Sequence, residues 1–186
     1  MKLILLRHGE TEENIDCIAE GQLPGYLTEK GKLQIEFIAP QLVEENIDLI
    51  YSSDLNRALQ TTDIVERFVK NTRVRLSKKL RERNFGDFQG KPYPKDWDEI
   101  QWQPGIIKEH GGESSGELIP RVKSFLKKLN TKFPDKTILL ITHKRVIQVI
   151  QAIHKHQGLE ELQKMSIPGN AEVVYLEFDL DFFKKK

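Results

Sequence analysis

Three short apolar runs, at residues 3–6, 48–52 and 137–142, each give way to polar residues and then to a stretch with helical spacing. Apolar runs without alternation mark strands buried on both faces, and such strands separated by helices predict an α/β fold. A last strand is expected at 173–178. Thr28 opens a helical stretch with Leu33, Phe37, Leu42 and Val43 as its expected apolar face, which Pro40 should kink or divide. Asp54 is placed to cap a helix reaching about Val69, with Leu55, Ala58, Val65 and Phe68 turned to the core. Ser114 and Glu117 have capping-box spacing for a helix bearing Val122, Phe125, Leu126 and Leu129, whose first turns Pro120 should distort. Val146, Ile147, Val149, Ile150 and Ile153 mark one more helix after the third strand.

Between residues 91 and 112 the periodicity weakens. Pro92, Pro94, Pro104 and the pair Gly111-Gly112 surround Trp97 and Trp102, a composition that predicts a cap-like excursion over the sheet. The two tryptophans are expected to pack onto the core rather than to stack on a substrate ring. Residues 182–186, ending in three lysines, read as a disordered, solvated tail. With no repeat and no linker, the 186 residues read as one domain.

Composition narrows the function classes. Twenty-nine basic and twenty-eight acidic residues give a formal charge of +1, so no global basic field draws the chain onto nucleic acid. No apolar run is long enough for a membrane span or a signal peptide, and Cys17 is the single cysteine. These features predict a soluble, cytoplasmic protein without disulfides or a cysteine-rich zinc site. A monomer or homodimer is expected.

In open α/β sheets ligands bind beyond the carboxyl ends of the strands. Arg7 and His8 follow the first run, Arg57 lies just past the second beyond Ser52-Ser53, and His143 follows the third. Three strand ends thus deliver two guanidiniums and two imidazoles to one side of the sheet, a set suited to an anion. Each histidine or arginine alone reads more simply as a structural or surface residue; their joint placement, with Gly9 free to allow close approach of a ligand, favours a site.

At this point the chain resembles the histidine phosphatase superfamily, also called phosphoglycerate mutase-like. Arg7-His8-Gly9 in LLRHGETEEN matches the family signature. GQLPGYLTEKG, SSDLNRALQT, LRERNFGDFQG, GGES, THK and PGNAEVV follow in family order. The resemblance implies a three-layer αβα sandwich with a mostly parallel central sheet. It also implies hydrolysis of a small phosphorylated metabolite, the chain's expected partner, through a covalent phosphohistidine, with no cofactor and no metal. His8 is then the nucleophile, Arg7, Arg57 and His143 bind and stabilise the phosphoryl group, and Glu82 is the general acid. Asn14 and Gln22 are further substrate-binding candidates, and Thr142 is a weaker one. A zinc site from His8, His143 and Glu82 lacks a ligand-spacing signature.

The chain departs from the family pattern in three places. Small residues usually follow the second histidine, whereas Lys144 and Arg145 stand here. Lys144 is carried as a substrate-binding candidate for a second acidic group, against the simpler expectation that both side chains reach solvent. Pro24-Gly25-Tyr26-Leu27-Thr28 replaces the more usual Asp-x-Pro-Leu-Thr, and Gln89 stands where glutamate is common. Two other functions are compatible with these motifs: a cofactor-dependent phosphoglycerate mutase, generally longer and with larger insertions over the site, and a non-catalytic phospholigand-binding module.

Overall fold

A computed structural model describes residues 1–103, 105–165 and 168–184. Pro104, Lys185 and Lys186, which figure in the expectations above, lie outside the described residues.

Five strands form one sheet: β1 (Lys2–Arg7), β2 (Leu49–Ser52), β3 (Arg73–Leu76), β4 (Thr137–Thr142) and β5 (Val173–Glu177). Their order is β3-β2-β4-β1-β5, with every pairing parallel except β1 with β5. The helices are α1 (Glu12–Ile15), α2 (Glu29–Ile38), α3 (Asn56–Glu66), α4 (Trp97–Ile100), α5 (Ile106–Glu109), α6 (Ser115–Lys132), α7 (Lys144–His154) and α8 (Leu159–Lys164).

Alternation along the central strands feeds two separate cores. Leu3 and Leu5 of β1, with Ile138 and Leu140 of β4, pack against Val122, Leu126 and Leu129 of α6 and Val146 and Ile150 of α7. Ile4, Leu6, Leu139 and Ile141 face the opposite way, against Ile35, Leu42, Ala58 and Val65. Both faces of the sheet are covered, so the strands need no polar side, and the three-layer αβα expectation holds. Among the described residues no helix is long and apolar enough to cross a membrane.

Several local expectations change. Thr28 caps α2, its hydroxyl accepting from the Gly31 N–H, and at Pro40 the chain tightens into a 3-10 stretch over Ala39–Glu45. The expected apolar face of α2 is rotated, however: Leu33 and Phe37 are 64% and 77% exposed while Ile35 is fully buried. Asp54 does not cap α3. Leu55 occupies that position, and Asp54 instead accepts both Nε and Nη2 of Arg81 at 2.7 Å. The Ser114–Glu117 capping box forms, and α6 runs without a break through Pro120. Phe182 and Phe183, within the expected tail, pack against the core around Phe178. The strand β3 and the helix α8 were not anticipated.

The excursion after Gly90 folds into α4 and α5. Trp97 is buried among Phe85, Phe88 and Tyr93. Trp102 is buried beside two guanidiniums, with Cζ of Arg83 and of Arg145 at 5.2 and 5.7 Å from its ring. Both tryptophans therefore pack internally, as expected.

Candidate active site

The carboxyl ends of β1 and β4 and the loop after β3 meet in a narrow cleft lined by Arg7, His8, Asn14, Glu20, Gly21, Glu82, Phe85, Tyr93, Lys144 and Arg145. His8 sits where β1 stops, and its main chain is fixed on both sides. Its N–H donates to the Thr142 carbonyl at 3.2 Å, and its own carbonyl accepts from Ala171 N–H and Asn170 Nδ2, each at 3.2 Å.

The imidazole of His8 is buried, with Nδ1 at 2.8 Å from the Gly9 carbonyl oxygen. A carbonyl can only accept, so Nδ1 carries the hydrogen and Nε2 the lone pair. Burial, then the charges of Arg57 and Arg7, hold the His8 pKa well below its ordinary 6.5. A neutral imidazole with Nε2 free is a nucleophile in its reactive form.

His143 caps the start of α7 and lies behind His8, the ring centroids 5.1 Å apart. Its Nε2 is 2.8 Å from Ser53 Oγ, and its buried Nδ1 has no hydrogen-bond partner among the described residues. Burial, then Arg57 and His8, depress its pKa as well. Arg57 is fully buried. Its terminal nitrogens donate to the Leu23 carbonyl at 3.0 Å and the Gly21 carbonyl at 2.7 Å, and Nε lies 3.5 Å from Glu20 Oε1. Neither His143 nor Arg57 lines the cleft; both lie beneath it, and Arg57 acts on His8 through its charge. Arg7, from the other side, donates Nη1 to the Pro168 carbonyl at 2.8 Å while its buried Nε has no partner among the described residues.

Glu82 enters from the loop after β3. Its Oε1 accepts the Arg83 N–H at 2.8 Å and its Oε2 the Arg145 N–H at 3.2 Å, so two main-chain donors aim the carboxylate into the cleft. Gln22 is not in the lining. Its Nε2 donates to the Glu82 carbonyl at 3.0 Å, and its own N–H donates to Gln89 Oε1 at 2.8 Å. Gln22 therefore supports the Glu82 main chain, and Gln89 Oε1 also accepts the Phe85 N–H at 3.3 Å. Thr142 is also outside the cleft, its Oγ1 donating to the Leu80 carbonyl at 2.7 Å.

The residues after His143 correct the expectation of solvent-directed side chains. Arg145 is buried, its guanidinium donating to Gln148 at 2.9 Å and Asp98 at 3.1 Å. Lys144 is half-buried in the cleft wall, where burial, then Arg145 and Arg7, pull its pKa down to about 8. Packing also requires glycine at position 9. A Cβ there would meet the Gly31 carbonyl oxygen at 2.4 Å, so the close contact is with the first turn of α2.

Sequence reasoning missed Glu20, Tyr93 and Asn170. Glu20 is buried, accepting from Thr11 Oγ1 at 3.0 Å and from Asn14 Nδ2 at 2.8 Å, and burial raises its pKa above 4.5. Tyr93 brings the cap segment to the cleft, its hydroxyl pushed up to about 12 by burial. Asn170 links Asn14 Oδ1 at 2.8 Å to the His8 carbonyl. The motif PGNAEVV carried the only signal for Asn170; nothing in the polar loop distinguished Glu20.

The model of the histidine phosphatase superfamily (branch 1) matches residues 3–186. The chain belongs to that superfamily. Phosphoserine phosphatase 1 of Hydrogenobacter thermophilus is 33% identical over 151 residues, covering 77% of this chain and 71% of its own. Phosphoglycerate mutase-like protein 4 of Arabidopsis thaliana is 31% identical, covering 79% and 68%. Among solved structures, a mycobacterial glucosyl-3-phosphoglycerate phosphatase complexed with VO3 superposes with a TM-score of 0.83 at 29% identity, over 97% of this chain and 93% of that one.

Proposed function

We propose that the protein is a metal-independent phosphatase of small metabolites, in which His8 takes the phosphoryl group and water receives it. The observation that carries this reading is the state of His8: neutral, with Nδ1 donating to the Gly9 carbonyl and Nε2 free beside Arg7. Nε2 attacks phosphorus, the P–O ester bond breaks, and the leaving alkoxide takes a proton from the Glu82 carboxyl. Glu82, now a carboxylate, accepts a proton from water as that water attacks phospho-His8. Inorganic phosphate departs and His8 regains its lone pair. Arg7 and Arg57 supply the positive charge that the spreading equatorial oxygens require, which makes a metal dispensable. Asn14, with its side chain in the cleft wall, is a further phosphoryl contact of this reading, and His143, buried outside the lining with its ring 5.1 Å from that of His8, supports the nucleophile.

Hydrolysis is favoured over mutase transfer because the segment after Gly90 is short: it brings Tyr93 to the cleft and, among the described residues, holds only two one-turn helices, α4 and α5. The relatives named as phosphatases agree with that choice. The single cysteine, Cys17, is exposed and unpaired, which suits a cytoplasmic location.

A screen of phosphorylated metabolites with chelator present tests the reading, with His8→Ala as control. The expected result is release of phosphate that chelator does not affect and that His8→Ala abolishes, with an acid-labile phosphoenzyme on rapid quenching. Turnover surviving in His8→Ala overturns the mechanism. Rapid isomerisation of 3-phosphoglycerate in the presence of its bisphosphate, with little phosphate release, replaces phosphatase by mutase.

A further inference from the structure

The cations of the cleft are not equally committed. Arg145 is held by Gln148, Asp98 and the face of Trp102, and Arg7 by the Pro168 carbonyl. Lys144 has no hydrogen-bond or ion-pair partner among the described residues, although it is half-buried and lines the cleft with His8 and Arg7. A partly desolvated, unpaired ammonium is unfavourable unless something negative meets it. The phosphoryl group of the proposed reaction already has Arg7, Arg57 and the histidines, so Lys144 is left over.

We propose that Lys144 is a specificity-determining residue that pairs with a carboxylate on the substrate, so that the preferred substrates are small phosphomonoesters bearing a carboxylate close to the ester. The inference rests on the phosphatase reading of the same cleft and narrows its substrate class. A singly charged carboxylate fits better than a second phosphate because two other carboxylates, Glu20 and Glu82, line the same narrow space. The helix start contributes in the same sense, since Lys144 opens α7 and the positive end of the helix dipole favours an anion, although the Arg145 N–H there is already taken by Glu82.

Two matched pairs isolate the carboxylate: O-phosphoserine against phosphoethanolamine, and 3-phosphoglycerate against glycerol 3-phosphate. In the wild type kcat/KM should favour the carboxylated member by about tenfold or more, as expected of one charge-assisted hydrogen bond. Lys144→Met should collapse that ratio through KM, and Lys144→Arg should keep most of it. The ratio should also fall as the pH rises through about 8, where Lys144 loses its proton; the charged groups facing it, Arg7, Arg145, Glu82 and Asp98, set that value. A general structural role for Lys144 would lower both members of a pair together and leave the ratio unchanged.

Calorimetric binding of phosphonate analogues with and without the carboxylate reads the same preference without turnover. Absence of any turnover in the wild type, with carboxylate-selective binding intact, fails the phosphatase reading and not this one. Equal ratios in wild type and Lys144→Met overturn the inference. A bisphosphate preferred over both carboxylates, and lost in Lys144→Met, overturns the choice of carboxylate.

Discussion

The main-chain N–H of Arg145 donates to Oε2 of Glu82 at 3.2 Å, joining the first turn of α7 to the loop after β3. Together with the Arg83 N–H on Oε1, it aims a carboxylate that no regular element carries. Because the donors are backbone, substitution of the Arg145 side chain leaves this bond possible, whereas substitution of Glu82 removes the proposed proton donor itself. Glu82→Gln is isosteric and keeps one acceptor oxygen for these bonds, so the fold should survive. We expect its kcat on alkyl phosphates to fall by about 10²–10⁴, the usual contribution of a positioned acid. The loss should be much smaller with p-nitrophenyl phosphate, whose leaving group needs little protonation. Equal losses on both substrates would remove Glu82 from the acid role.

The two buried histidines make stability depend on pH. His8 and His143 both have folded pKa values well below 6.5. Between those values and 6.5 the unfolded chain binds more protons, so their contribution is fully present above pH 6.5 and is lost as the pH falls. The slope is about 1.4 kcal/mol per pH unit for each histidine. Glu20 acts in the opposite sense: its raised pKa removes stability as the pH rises from 4.5 to that value. Urea midpoints should therefore drop from pH 7.5 to 5.5, and a His8→Asn/His143→Asn double variant should drop less. A midpoint that stays level over this range in the wild type contradicts the buried, neutral state of the pair.

Glu20 occupies donors that the proposed phosphoryl site needs. Asn14 Nδ2 is 2.8 Å from its Oε2, and Arg57 Nε is 3.5 Å from its Oε1. A phosphate dianion entering the cleft meets this carboxylate at close range in a partly desolvated space, where repulsion is strong. Glu20→Gln keeps the shape and removes the charge. Inhibition by inorganic phosphate should become several-fold tighter, with the thermal midpoint little changed. Weaker inhibition in a stably folded Glu20→Gln would show instead that the carboxylate organises Arg57 and Asn14 for the ligand.

The strand ends were the most legible part of the chain. Leu3 to Leu6 are all buried because their alternate side chains fill two cores, which is why the run shows no polar position. The residue after such a run then falls at the ligand side of the sheet, and His8 and His143 do so. The rotation of α2 was not legible. Leu33 and Phe37 are four apart and compete in the pattern with the stripe of Ile35, Ile38, Ala39 and Leu42. Packing decides otherwise: Gly31 is pressed against the Gly9–Glu10 backbone, and Ile35, one turn later on the same stripe, is carried to the core. The strand β3, RVRL, lies at the sheet edge with its arginines and Leu76 partly or largely exposed, so its composition reads as surface. Glu20 is a single acid in a polar loop, and only the folding of Thr11, Asn14 and Arg57 around it gives it a place in the cleft.

That same Gly9–Gly31 contact links helix placement to the orientation of His8, the proposed nucleophile. A Cβ on Gly9 would lie 2.4 Å from the Gly31 carbonyl oxygen, and one on Gly31 would lie 2.1 Å from the Glu10 carbonyl oxygen. Every obstructing atom is backbone, so no side-chain rotamer can relieve the clash and the start of α2 must move away from the end of β1. The Gly9 carbonyl is also the acceptor that fixes His8 Nδ1, so displacement of this segment turns the imidazole. Gly9→Ala and Gly31→Ala should each lose about 1–3 kcal/mol, as overpacking does. Gly9→Ala should in addition lose most of its kcat, because Nε2 no longer lies in line with the phosphorus. Gly116, in the first turn of α6, provides the control. Its added Cβ would find only Ser114 Oγ at an ordinary 3.8 Å, and Gly116→Ala should be neutral or stabilising by up to about 1 kcal/mol. Urea denaturation of the three variants decides: if Gly9→Ala matches Gly116→Ala, the contact between β1 and α2 does not constrain His8.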